Sequence, residues 1–181
     1  EAGALQAVHL ATRSLETFAA SPADLESAGA MQESAMLAGL AIDSGGTGIA
    51  HNIGHALGSL YHVPHGIAVA LALEASLGWS VGEAGERFAR VAGAFGGGQR
   101  PDSLAPAYAR WLERLDFAAV AAPALPASLD AGSLAGAMAA DENRPMAANN
   151  ARPPAPGDIE MLARATVAVG ERYRRKRAVP A

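Results

Sequence analysis

Apolar residues recur at spacings of three and four along nearly the whole chain, and this constrains the fold more than any other feature. Leu5, Val8, Thr12, Leu15 and Phe18 fall on one helix face. Tyr108, Trp111, Leu112 and Leu115 do the same, as do Ile159, Leu162, Thr166, Val169 and Tyr173 near the end. No run alternates with period two while being rich in β-branched residues, so no strand is predicted. The expectation is an all-α multi-helix bundle, a single helical domain over residues 1–181, with roughly seven to nine helices.

Breaks divide the pattern. Ser21-Pro22-Ala23-Asp24 reads as a helix start, with serine at the N-cap and proline in the first turn. The helix it opens runs to about Ile42 and is broken by Asp43 to Gly48. Val63-Pro64 ends the next helix, because the residue before proline avoids the helical region. An alanine-rich buried helix spans Gly66 to Leu77, and Ser80 is the expected N-cap of its successor. That successor, lined by Phe88, Val91 and Phe95, stops at Gly96-Gly97-Gly98. Ala118 to Ser128 holds two prolines and reads as an irregular connection, and Ser133 to Ala140 as a short helix. Asn143 to Gly157, with four prolines and three asparagines, reads as an ordered loop before a last helix capped by Asp158.

The net charge of −4 gives no electrostatic reason to expect nucleic acid. The basic run Arg172 to Arg177 is accounted for by the dipole at a helix C-terminus. Cysteine is absent, which excludes disulfides and thiolate ligands, so a bound metal would be held by nitrogen and oxygen. Zero cysteines fit a reducing cytoplasm, the expected location. No apolar run reaches the length of a membrane span, so no membrane partner is expected; the longest candidate, Gly66 to Gly78, carries Glu74. The glycines of Asp43 to Gly48 follow no strand and precede no Gly-Lys-Ser/Thr, so they make no phosphate loop.

Four of the five histidines lie between His51 and His65. His51 and His55 are one helical turn apart on one face, and His65 follows Pro64 at the start of the next helix. Neutral imidazole is the commonest ligand for divalent transition metals. Three such groups from two adjoining elements can converge on one ion. The plainer alternative is polar residues satisfying one another in a helical core. Glycines at 45, 46, 48, 54 and 58 leave this segment nearly bare, which suits the close approach of a ligand or a second helix. His62 could serve as a spare ligand but reads first as a loop residue that hydrogen-bonds a neighbour or a bound cofactor, and His9 reads as structural or exposed. Asp43 and Glu74 are the nearest acids, and neither stands at a compelling ligand spacing.

The pattern Ala38-Gly39-Leu40-Ala41-Ile42, Gly48, His51, His55, Leu57-Gly58 and Pro64-His65-Gly66 resembles the signature of the iron-containing (group III) alcohol dehydrogenases. Asn149-Asn150-Ala151-Arg152 ahead of Asp158-Ile159 is similar to that family's asparagine-proline-arginine segment before its last helix. The resemblance implies a C-terminal all-α metal-binding domain that works with an N-terminal α/β domain holding NAD or NADP. It implies His51 and His65 as two of four metal ligands, the ion being iron(II) or zinc. His55 is implied as a catalytic residue beside metal and nicotinamide, not itself a ligand.

The implied substrate is a small alcohol, aldehyde or ketone, in a homo-oligomer or paired with the α/β domain. The remaining ligands, an aspartate and a histidine, would precede Glu1, so the isolated chain is expected to be inactive. Asn52, Gly54, Ala56 and Ala151 depart from the common family residues and leave the substrate open. Maleylacetate reductases share the histidine spacing but tend to lack a residue like Gly66. Dehydroquinate-synthase-like enzymes share the helical domain with a longer histidine gap. A helical metal-binding or interaction module without catalysis is the alternative from another class.

Overall fold

The computed structural model describes residues 1–82 and 85–178, and within them every regular element is a helix. In chain order these are α1 (Ala2–Ala20), α2 (Leu25–Gly45), α3 (Ile49–Tyr61), α4 (His65–Ser80), α5 (Gly85–Ala94), α6 (Leu104–Arg114), α7 (Phe117–Ala124), α8 (Ala131–Met138), α9 (Arg144–Ala148) and α10 (Asp158–Ala178). Single 3-10 turns at Pro101–Ser103 and Asp141–Asn143 precede α6 and α9. The all-α expectation holds. The chain divides into two compact units, Glu1–Gly46 with Ala84–Leu115, and Thr47–Glu83 with Asp116–Ala181.

In the first unit α1 packs along α2, and the buried Ser34 hydroxyl donates to the Ala7 carbonyl at 2.8 Å. Glu1 pairs with Arg90 at 2.9 Å, tying the start of α1 to α5, and Glu16 pairs with Arg114 of α6 at 2.8 Å. Phe95 stands edge-on to Tyr108 and Trp111, with ring centroids 5.6 and 5.3 Å away. Such edge-to-face contacts add to the burial of large rings.

In the second unit α3 packs on α4, and α10 lies against α4, α7 and α8. Ile53, Leu57, Leu71, Leu134, Met138 and Leu162 are fully buried there and form its core. Burying a side chain of this size contributes about 1.5–3 kcal/mol each. Phe117 of α7 meets Tyr173 of α10 edge to face at 5.2 Å.

Several boundaries differ from the sequence expectation, each for a local reason. The second helix is capped by Asp24, not Ser21: the Asp24 carboxylate accepts the Ser27 N–H at 2.8 Å. The Asp24 N–H returns to the Ser21 carbonyl, so Pro22 sits in a turn, and Ser21 closes α1. α2 also continues past Ile42 to Gly45, and Gly46 with φ 71° ends it. Ser80 is the last residue of α4, and its hydroxyl donates to the Ser76 carbonyl.

Ala118 to Ala124 is helical, not irregular, because Phe117, Ala121 and Leu125 recur at four and bury one face. Pro123 falls in the last turn of that helix, where only one backbone bond is forfeited. Within the expected loop, Arg144–Ala148 forms a short helix with Pro145 in its first turn, a position proline favours.

Candidate metal centre

Three imidazoles meet where α3 packs on α4. His51 stands in the first turn of α3, His55 one turn later, and His65 opens α4. Ring centroids are 5.5 Å apart for His51 and His65, 5.6 Å for His55 and His65, and 6.5 Å for His51 and His55.

The chain reversal that produces this is local. His62 takes the left-handed conformation (φ 55°), and its N–H donates to the Gly58 carbonyl, closing α3. Val63 is buried, and Pro64 is extended (φ −53°, ψ 135°), so the next residue begins a new helix. Gly54 then lets α4 come close: a Cβ there would lie 2.8 Å from Val69 Cγ2 and 3.3 Å from the Val69 nitrogen. Of the glycines that leave this segment bare, Gly54 and Gly48 are in close contact, whereas an added Cβ at Gly45 would meet open space.

His51 is half-buried; His55 and His65 are exposed. Burial, and then the charges of His65 and His55, lower the pKa of His51 below its usual 6.5. The neutral form, the one that ligates metal, is therefore favoured at neutral pH. Two imidazoles held on one tetrahedral ion with metal–nitrogen bonds of ~2.1 Å place their ring centres roughly 5 Å apart. The His51–His65 separation is close to that, and an all-nitrogen pair suits iron(II) or zinc.

Among the described residues no group of three or more His, Cys, Asp or Glu is placed to hold an ion. The pair fits part of a metal site, and the acids among the described residues do not complete it. Glu74, an acid near in sequence, is occupied: its side chain is buried, accepts the Tyr173 hydroxyl at 2.8 Å and pairs with Arg172. Asp43 is exposed in the last turn of α2.

A cavity of about 310 Å³ opens beside His55 and His65, lined also by Gly54, Ser59, Glu142 and Asn143. His62 is exposed at the turn. His9 lies on α1 beside a cavity of about 640 Å³ with Leu5, Glu86 and Arg90.

Three polar residues brace this arrangement, and periodicity did not single them out for it. Asn52 is fully buried beside His51, and its Nδ2 donates to the carbonyls of Met138 and Asn143 at 2.9 and 3.0 Å. Asn150 Oδ1 accepts the Ile49 N–H at 2.8 Å, the first of α3. Arg152 pairs with Asp158 at 2.6 Å and lies over the Trp79 ring at 4.7 Å. The Asp158 carboxylate is held below its usual range, first by the Ala155 N–H, then by Trp79 and Arg152. A usable sequence signal existed for Asn150 and Arg152, the Asn149 to Arg152 segment, but it carried no indication of which helix they would hold.

Residues 1–155 match the sequence profile described as "Fe-containing alcohol dehydrogenase family, C-terminal". The chain is 34% identical over 92 residues to 1,3-propanediol dehydrogenase of Klebsiella pneumoniae, spanning 51% of this chain and 24% of that protein. It is 41% identical over 70 residues to a 1-propanol dehydrogenase of Salmonella typhimurium, spanning 38% of this chain and 19% of that one. The fold superposes on the crystal structure of a 1,3-propanediol oxidoreductase with TM-score 0.76 and 25% identity, covering 92% of this chain and 44% of that chain. The chain thus spans less than half the length of the proteins it matches.

Proposed function

The chain belongs to the Fe-containing alcohol dehydrogenase family through its C-terminal domain, and on that premise we propose that it supplies the metal-binding half of an NAD- or NADP-dependent enzyme that interconverts small alcohols with aldehydes or ketones. The observation that carries this reading is the convergence of His51, His55 and His65, with ring centroids 5.5–6.5 Å apart. In it His51 and His65 are metal ligands, and the ion is iron(II) or zinc. When bound, the ion acts as a Lewis acid toward the substrate oxygen.

His51 contributes a nitrogen kept neutral by burial and by its two neighbours. His65 is carried into place by the Pro64 turn. His55 faces the cavity and is the catalytic residue: an imidazole nitrogen holds or relays the substrate's hydroxyl proton. The further ligands and the dinucleotide-binding fold come from outside these 181 residues. Support comes from the lack of a complete ligand group among the described residues and from the greater length of the relatives. Small alcohols are the proposed substrates because the relatives named above are propanediol and propanol dehydrogenases.

The test measures bound metal and NAD(P)H absorbance in the full-length native protein, with small alcohols and aldehydes. His51→Ala and His65→Ala are expected to lose both metal and turnover. His55→Ala is expected to keep metal and lose about 10²-fold in rate, the scale of a lost proton relay. Undiminished metal and turnover in the His51 and His65 variants would overturn the reading.

A further inference from the structure

The side chain of Asn150 spans two helix ends. Its Oδ1 accepts the Ile49 N–H at 2.8 Å, and its Nδ2 donates to the carbonyls of Ala147 and Met146 at 2.8 and 3.1 Å. Ile49 is the first residue of α3, and Ala147 and Met146 belong to α9. One planar amide therefore satisfies a free donor at the start of one helix and free acceptors at the end of another. Gly48, the N-cap of α3, has no side chain to do this itself.

The glycine is needed for the clamp. A Cβ at Gly48 would lie 2.7 Å from Asn150 Oδ1 and 2.8 Å from the Asn149 carbonyl oxygen. Its φ of −116° is open to any residue, so the requirement is steric. Asn149 adds a second tie, with Nδ2 donating to the Thr47 carbonyl at 3.1 Å. The clamp thus grips the chain on both sides of Gly48, next to His51, whose own N–H bonds the Gly48 carbonyl at 3.0 Å.

We infer that Asn150 is a positioning residue for His51, with Gly48 as the space it requires: together they fix the first turn of α3 so that the His51 imidazole meets that of His65. The role in metal binding rests on the reading of His51 and His65 as ligands; the role in placing the imidazole does not. A helix N-terminus without a side-chain cap frays within its first turn, and His51 lies within that turn. Two ligands from separate helices close on an ion only if both helix ends are held.

The experiment reads the two roles separately in the 181-residue chain. Nuclear Overhauser contacts between the His51 and His65 ring protons report position without metal, and Co2+ titration followed by its visible absorption reports binding. Asn150→Ala and Gly48→Ala are each expected to abolish the ring contacts with helix content retained. Each is also expected to weaken Co2+ binding about tenfold or more, as loss of outer contacts to metal ligands does. Tyr173→Phe, which loosens the same unit away from α3, is expected to leave both readouts unchanged.

Intact ring contacts in Asn150→Ala and Gly48→Ala would overturn the inference. So would an equal loss in Tyr173→Phe, because that marks a general loosening of the fold. If the ring contacts vanish while His51→Ala leaves Co2+ binding untouched, positioning stands and the metal reading of His51 falls.

Discussion

Tyr173 of α10 donates its phenol O–H to Glu74 Oε2 of α4 at 2.8 Å, and Arg172 holds the same carboxylate from its other oxygen. Burial, and then Glu74, push the phenol's pKa above its usual value, so the hydroxyl stays protonated and donating. This contact joins the last helix to the middle of the helix that His65 opens.

Tyr173→Phe keeps the ring against Phe117 and removes only the donor. A hydrogen bond to a charged group is worth about 1.5–3 kcal/mol. The melting temperature is expected to fall by about 3–12 °C, taking ~2–4 °C per kcal/mol for a chain of this size. Glu74→Ala is expected to cost more, because it leaves both the phenol and the Arg172 guanidinium without their partner. Thermal unfolding followed by circular dichroism gives the ranking, and equal melting temperatures for wild type and both variants would contradict it.

The lowered pKa of His51 predicts an acid limb to stability. With a folded pKa below the unfolded value near 6.5, the unfolded chain takes up the proton first as pH falls. The stabilisation is complete above about 6.5 and is lost as pH drops through the folded pKa. His51→Gln removes the titrating group, so its melting temperature is expected to fall less than that of the wild type between pH 7 and 5. Metal binding should weaken over the same range, since protons compete for the imidazole nitrogen. Parallel pH profiles for the two proteins would refute this account.

Gly54→Ala would place a methyl against Val69, with 2.8 Å to Cγ2 and 3.3 Å to the backbone nitrogen. Overpacking of this kind costs about 1–3 kcal/mol. Val69→Ala in the same chain removes the closest atom and leaves the backbone contact. The double variant is therefore expected to recover part of the lost stability, whereas full recovery would mean the helix backbones do not limit the approach. Chemical denaturation midpoints for the two singles and the double separate these outcomes.

The helical class, most helix positions and the grouping of three histidines were legible because they depend on short-range spacing. His51 and His55 share a face by arithmetic, and Pro64 forces the break that starts α4 at His65. What escaped was set by competition or by distance. Ser21 and Asp24 were both able to cap α2, and the carboxylate won by reaching the Ser27 N–H. Pro123 suggested a broken chain, but the apolar repeat of Phe117, Ala121 and Leu125 outweighed one lost bond. The Ile49 partner of Asn150 lies 101 positions away, and the partners of Asn52 lie 86 and 91 positions away. No local pattern encodes such pairings.

Asn52 gives the sharpest of these long-range tests. It is fully buried, its two amide protons go to the Met138 and Asn143 carbonyls, and its Oδ1 has no hydrogen-bond partner among the described residues. It thus ties α3 to the end of α8 and to the turn after it, on the same helix as His51. Asn52→Ala leaves two carbonyls without their donor, at about 1–3 kcal/mol for each buried group left unmade. Asn52→Asp keeps the shape but replaces both donors with acceptors, so two carbonyl oxygens would face a carboxylate. The cost should be larger, and the aspartate's folded pKa should rise above its unfolded value. For a carboxylate raised in this way stability is lost as pH rises, because the folded form binds the proton more tightly. At low pH the protonated acid regains one O–H donor for one of the two carbonyls. The melting temperature of Asn52→Asp relative to wild type should therefore be lowest near pH 7 and recover toward pH 4. A deficit that stays constant across that range would show that the amide protons of Asn52 do not hold these carbonyls.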